Sequence, residues 1–314
     1  MLKHLFGLAS PAGAKARLSI LIFHRVLTEP DPLFPDEMHA RRFDEVCGWL
    51  KSWFNILPLD AAVVALKAGA LPARAACISF DDGYADNCQV ALPILQRHGL
   101  TATFFIATGF LDGRRMWNDT VIESVRSSEL PNLDLSKLGL GSHRLGSIDD
   151  RRAAISSLIG QIKYLPVNER INVTQQVARL ARARLPNNLM MTSQEVKSMR
   201  NAGMQIGAHT VSHPILARLS RDEAHQEIQA SKLFLEQLLG EPVGLFAYPN
   251  GKPGEDYLPD SVDVVRELGF DAAVSTKWGA SCTGDDVFQI RRFTPWDRTK
   301  LRFGARLLFN LRGS

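Results

Sequence analysis

The stretch Ala76-Cys-Ile-Ser-Phe-Asp81-Asp82-Gly83 decides the fold. An apolar run without alternation leads directly into two carboxylates and a glycine. Such a run predicts a strand covered on both faces, and strands of that kind belong to parallel sheets. The pattern recurs at residues 18–23, 102–107, 204–208, 244–248 and 271–275, each run followed by a turn or polar loop and then a helical pattern. Thr192-Ser-Gln-Glu195 is a capping box, opening a helix that ends at Asn201-Ala-Gly203. Ser220-Arg-Asp-Glu223 opens a second helix, which ends at Gly240, and a third over 261–268 stops at Gly269. Strand–helix alternation predicts an α/β protein with a parallel sheet. Six to eight such units in 314 residues suit a distorted, closed or nearly closed β/α barrel. Over residues 117–190 the strand signal lapses. That stretch reads as a helical insertion over one end of the barrel, within a single domain spanning 1–314.

Composition narrows the function classes. Lys and Arg number 37 and Asp and Glu 33, a formal charge of +4, too small an excess to argue for nucleic acid. No segment has the roughly 18 consecutive apolar residues of a membrane span. The cysteines Cys47, Cys77, Cys88 and Cys282 lack C-x-x-C spacing and read as free thiols in a reducing compartment. The N-terminal apolar stretch, interrupted by Lys3 and His4, falls short of a signal-peptide core. A cytoplasmic protein is therefore expected, with attachment at the inner membrane as the alternative. Residues 298–312 carry Arg298, Lys300, Arg302, Arg306 and Arg312 among Leu301, Phe303, Leu307, Leu308 and Phe309. This pattern fits either a basic amphipathic helix in peripheral contact with a membrane or a helix packed on the barrel.

Four groups carry chemistry, and each follows a predicted strand. Asp81 and Asp82 are adjacent carboxylates, costly to place together unless a cation or proton separates them. In His209-Thr-Val-Ser-His213 the two imidazoles can converge on one metal ion if the turn is tight. Phe246-Ala-Tyr248-Pro-Asn250-Gly251 is a turn whose backbone N–H groups could face an oxyanion. His24 ends the first run. Taken singly, each also fits an ordinary turn or a packed histidine. Taken together, all four fall at the C-terminal face of a β/α barrel, where active sites are assembled. One carboxylate and two histidines make a three-ligand set for a catalytic metal, with further groups left for acid and base.

Ser79-Phe-Asp-Asp-Gly83 together with His209-Thr-Val-Ser-His213 resembles the motif pair of the NodB-type polysaccharide deacetylases, carbohydrate esterase family 4. The resemblance runs from about residue 20 to 293. It implies a distorted (β/α)7-type barrel that removes N-acetyl groups from an amino-sugar polysaccharide or oligosaccharide. It also implies a divalent metal, usually Zn2+, with Co2+, Ni2+ or Fe2+ as alternatives. Carried over by position, Asp82, His209 and His213 would bind the metal and Asp81 would be the general base. The backbone N–H of Asn250 would help hold the oxyanion. Two departures stand out. Ala247 occupies the place of the usual base-orienting Arg, and Ile290-Arg291-Arg292 replaces the usual Leu-x-His that supplies the acid. The run Ile20-Leu-Ile-Phe-His24-Arg-Val26 is similar to that of the circularly permuted poly-N-acetylglucosamine deacetylases, whose acid histidine ends the first strand; this assigns the acid to His24. Arg291 or Arg292 is then the candidate partner of Asp81. Tyr248 and Trp117 are candidates for substrate contact, with Trp278 and Trp296 as similar cases. Two other readings compete: a related metal-dependent amidase or deformylase acting on a small or lipid-linked amide, and an inactive carbohydrate-binding homologue.

Overall fold

The computed structural model describes residues 2–312. The chain forms two compact units: residues 30–37 with 112–190, and the remainder. The larger unit begins with α1 (Leu2–Ala9), β1 (Arg17–Phe23), α2 (Ala40–Trp53), β2 (Asn55–Ile56) and α3 (Leu59–Lys67). It continues with β3 (Ala75–Phe80), α4 (Leu92–His98) and β4 (Thr103–Ile106). The smaller unit follows with α5 (Trp117–Ser127), a hairpin of β5 (Asn132–Asp134) and β6 (Ser142–Arg144), α6 (Ile148–Ile162) and α7 (Val167–Leu180). The chain then returns through α8 (Ser193–Asn201), β7 (Gln205–Ala208), α9 (Arg221–Leu239), β8 (Leu245–Ala247) and α10 (Pro259–Glu267). The last described elements are β9 (Ala272–Val274), β10 (Ser281–Cys282) and α11 (Lys300–Arg312). All six predicted runs are strands, and both full capping boxes open the helices expected of them.

The large sheet has the order β10-β1-β3-β4-β7-β8-β9, with β2 also paired to β3. Every pairing is parallel except that of β10 with β1. Strands β1 and β9 do not pair with each other. Residues 290–293 run between them: Ile290 bonds to Ala273 and Ser275 on one side, Phe293 to Ile20 and Ile22 on the other. A short extended segment thus closes the distorted barrel where a full strand would otherwise stand.

Burial on both faces explains the unbroken apolar runs. Leu18, Ile20, Cys77, Phe105, Leu245, Ala247 and Val274 belong to one cluster, which α3 completes with Leu59, Ala62, Val63 and Leu66. The alternate residues Leu21, Phe23, Ile78, Phe80, Phe104 and Ile106 face a second cluster, under the outer helices. The strand register aligns the ends of these runs. Phe23 is paired with Phe80, Phe80 with Phe104, and Ile106 with Ala208. The residues just past these positions therefore emerge side by side at one rim.

The smaller unit has its own core, built on Val121, Val125, Leu133, Leu158, Ile162 and Val177. Residues 30–37 are tied into it by a two-point ion pair from Arg126 to Asp31 (2.6 and 3.0 Å). Among the described residues no helix is long and apolar enough to cross a membrane.

Candidate active site

The end of β3 sets the geometry. Along this strand Cys77, Ser79 and Asp81 alternate onto one face, so Asp81 points into the barrel. Asp81 is 3% exposed, and its backbone N–H donates to Phe23 O across the β1–β3 pairing (3.0 Å). Asp82 then turns into the left-handed region (φ 75°), followed by Gly83 (φ 89°). Aspartate tolerates this conformation better than most residues, and it aims Asp82 away from its neighbour.

Arg292, from the closing segment, meets Asp81 inside the barrel. It donates from Nη1 to Oδ1 (2.7 Å) and from Nη2 to Oδ2 (2.8 Å), a two-point pair in which Arg292 is only 1% exposed. Its Nε donates to Ser275 O (2.8 Å), and Nη1 also reaches Ser79 Oγ (3.4 Å). Burial pushes the Asp81 carboxyl up, but the charges of Arg292 and His209 outweigh it, and the group lies below the usual carboxylate range. Arg291, by contrast, donates its backbone N–H to Ser281 Oγ (3.1 Å) and makes no bond to Asp81. Of the two candidate arginines, the structure brings only Arg292 to the site.

His209 and His213 face Asp82. His209 Nε2 lies 3.5 Å and His213 Nε2 3.4 Å from Asp82 Oδ1. The Nδ1–H of His209 donates to Ala247 O (2.7 Å), which fixes the tautomer and leaves Nε2 as the lone-pair nitrogen. The loop between the histidines is shaped by two left-handed residues and by a carboxylate. Thr210 (φ 64°) and His213 (φ 51°) are both left-handed. Glu227 of α9 accepts from the N–H groups of Val211 (2.9 Å) and Ser212 (2.8 Å) and from Ser212 Oγ (2.6 Å). Of the seven described non-glycine residues with positive φ, Asp82, Thr210, His213 and Asn250 sit at this rim, the concentration expected where structure over-determines a functional site.

The donor set fits a divalent cation. Asp82 Oδ1 is buried without a hydrogen-bond partner, a costly state for a carboxylate. Asp81 has its charge balanced by a paired Arg292, whereas Asp82 is faced by imidazoles alone. A tetrahedral ion with bonds of about 2.1 Å separates its ligands by roughly 3.4 Å, close to the distance of each imidazole nitrogen from Asp82 Oδ1, and all three ligand atoms lie within 4.8 Å of one another. Burial acts to raise Asp82, yet His209, His213 and His24 bring it well below the ordinary range. Burial is also the main influence on His213, which falls to about 4 and is a neutral imidazole at pH 7. His209 is lowered by burial but raised on balance by Asp81 and Asp82.

His24 emerges beside Asp81, exposed, and its charge acts on both Asp81 and Asp82. Its backbone is anchored from the turn after β3. Asn87 Nδ2 donates to His24 O (2.9 Å), while Asp86 accepts from Val26 N–H (3.0 Å) and Arg25 Nε (2.8 Å). Asn87 opens a single π-helical turn, a form often found at functional sites. Sequence reading missed Glu227, Asp86 and Asn87. The Asp-Asn pair four and five residues past Asp82, at helical spacing, was the available signal for the last two.

Asn250 (φ 58°) stands after β8, and its carbonyl accepts from Thr276 Oγ1 (2.8 Å). Tyr248 is fully buried. Its ring stacks on Tyr257 (3.9 Å between centroids) and its hydroxyl donates to Phe288 O (3.0 Å), so it is a packing residue and not a sugar platform. Trp117 lies in the smaller unit, packed against that unit's core under the Arg170 guanidinium. Trp278 and Trp296 are exposed by 48% and 75%.

A buried Asp–Arg pair thus stands next to an Asp–His–His cluster that can hold a metal ion, at the C-terminal rim of a parallel β/α barrel. The sequence profile of the polysaccharide deacetylases matches residues 68–132 and 167–273. The chain belongs to this family, and its barrel is the NodB-type fold. A Bacillus subtilis (strain 168) protein described as "Putative polysaccharide deacetylase YxkH" is 19% identical over 279 residues, 88% of this chain and 71% of that protein. Among solved structures, the Streptococcus pyogenes deacetylase PplD in complex with acetate superposes with a TM-score of 0.63 at 19% identity, covering 94% of this chain and 98% of that one. IcaB from Ammonifex degensii gives 0.62 at 17% identity, covering 97% and 99%.

Proposed function

We propose that the protein hydrolyses the N-acetyl group of an amino-sugar polysaccharide or its precursor, releasing acetate and a free sugar amine, with a divalent metal held by Asp82, His209 and His213. The observation that carries this reading is the unpartnered Oδ1 of Asp82, faced by two imidazole nitrogens beside an arginine-paired Asp81. Zn2+ suits the N2O donor set. Such an ion, when bound, polarises the amide carbonyl and makes water acidic enough to attack near pH 7.

The chain's own residues divide the remaining work. Asp81, kept ionised and oriented by Arg292, takes the proton of the attacking water. The Asn250 N–H donates to the oxygen that becomes negative as the carbonyl carbon turns tetrahedral. His24, exposed at the rim, is the group that gives a proton to the departing nitrogen as the C–N bond breaks. Water thus adds across the amide: its oxygen goes to acetate and a proton to the amine. Membership of the polysaccharide deacetylase family favours a carbohydrate amide over a small-molecule one.

The test is acetate release from β-1,6-linked N-acetylglucosamine oligomers and from chitooligosaccharides, by metal-loaded and chelator-treated protein. Release that stops on chelation and returns with metal supports the reading. Equal release without metal, or none from any N-acetylated oligomer, overturns it.

A further inference from the structure

Outside the barrel mouth, the least ordinary surface is the one where α1 and α11 pack together. The two helices are close neighbours: a side chain at Gly304 would lie 2.8 Å from Leu2 Cδ1. Phe303, Gly304, Leu307, Asn310 and Leu311 face the protein, where Phe303 meets Trp49, Trp53 and Phe293. An ordinary surface helix would be polar on its other side. This one mixes cations with apolar side chains there: Leu301, Ala305 and Phe309 follow the spacing i, i+4, i+8, with Leu301 67% and Phe309 64% exposed, while Leu308 packs against the core. Leu8 of α1 is 82% exposed, and Trp296, just before α11, 75%.

Charge singles out the occupant. Residues 1–28 and 298–314 contain no Asp or Glu at all, against Lys3, Lys15, Arg17 and Arg25 in the first segment and Arg298, Lys300, Arg302, Arg306 and Arg312 in the second. Neither α1 nor α11 itself carries an acidic residue, so the side chains that the two helices contribute are apolar, neutral or basic. Exposed leucine, phenylalanine and tryptophan flanked by cations meet both demands of an anionic bilayer: apolar side chains for the acyl boundary and basic ones for the headgroups. Nucleic acid would use the cations but leave the leucines and phenylalanine in water.

We propose that α1 and α11 form a peripheral docking surface for an anionic lipid bilayer, with Leu8, Trp296, Leu301 and Phe309 entering the headgroup region and Arg302 and Arg312 pairing with lipid phosphates. This surface is separate from the catalytic groups and stands or falls independently of the deacetylase reading.

The test is co-sedimentation of the full-length protein with vesicles of phosphatidylcholine alone and of phosphatidylcholine with phosphatidylglycerol. Binding is expected only to the anionic vesicles and should weaken with added salt. Arg302→Glu should lower the partition at least about fivefold, and Leu301→Glu with Phe309→Glu about tenfold or more. Deacetylation of a soluble oligomer and the melting temperature should stay at wild-type values in these variants, which separates lost docking from lost folding or catalysis. Equal binding to neutral vesicles, no binding to either, or full binding by the Leu301→Glu/Phe309→Glu variant overturns the proposal. So does a concentration-dependent dimer in solution that this double variant abolishes, since the apolar stripe would then belong to a second copy of the chain.

Discussion

Replacing Arg292 by Met should show how much of the active site rests on one buried ion pair. Met is similar in length but cannot donate, so the change leaves Asp81, 3% exposed, without its two-point partner. Breaking a buried pair from one side costs about 3–5 kcal/mol, a large part of a typical total of roughly 5–15 kcal/mol. The carboxylate is the source of that cost, so the effect depends on pH. In the wild type Asp81 lies below its unfolded value of about 3.9; the pair therefore stabilises the fold above that pH and is lost as pH falls through the folded pKa. In Arg292→Met burial, the largest influence on the group, is no longer outweighed by the guanidinium. Its pKa rises, and the variant regains stability relative to wild type as Asp81 takes up a proton. Urea unfolding at pH 7 and pH 4.5 should give a deficit that shrinks at the lower pH. The double variant Asp81→Asn/Arg292→Met should recover much of the single-variant loss. The acid limb of kcat/KM in Arg292→Met should also move to higher pH. A loss below about 1 kcal/mol at pH 7, or a deficit that does not change with pH, would refute the assignment of Arg292 as the group that keeps Asp81 ionised.

Four further outcomes are expected. His24→Ala should lower kcat by roughly 10²–10⁴ while metal content, read by elemental analysis, is unchanged; undiminished turnover removes His24 from the acid role. Asp82→Asn should lose metal binding and activity together, and should not show the rise in melting temperature that added Zn2+ gives the wild type. Glu227→Gln should weaken metal affinity about 10–100-fold with the fold intact, because the loop between the histidines loses its anionic anchor; a competition titration with a chromophoric chelator reads this directly. Gly207→Ala places a Cβ 2.5 Å from the Phe105 ring and 2.9 Å from Leu245 O, so thermal unfolding should show marked destabilisation or no soluble protein.

Much of the fold is legible in the sequence because burial on two faces leaves a strong mark there. The runs around Ile20, Ile78, Phe105, Ile206, Phe246 and Ala273 read as parallel strands for that reason, and all are strands. The residues after them can then be assigned to one rim by topology alone. Arg292 is harder to read. Its run, Ile290-Arg-Arg-Phe293, is too short for a strand signal, and a charged residue inside a barrel is predicted only if its partner is already known. Tyr248 is misread because proximity to a strand end does not say which way a ring points; its stacking on Tyr257 depends on a contact nine residues away that no local pattern encodes. Glu227 is invisible for a related reason: on α9 it looks like any solvent-facing acid until the histidine loop is folded against it.

The segment that seals the barrel also brings the guanidinium that keeps Asp81 charged. Geometric completion and chemical competence therefore arrive together. A nascent chain that has built every strand through β9 would still hold Asp81 without a counter-charge, and would acquire a working site only as residue 292 slots between β9 and β1. Anything that pries this seam apart should silence the enzyme before it unfolds it.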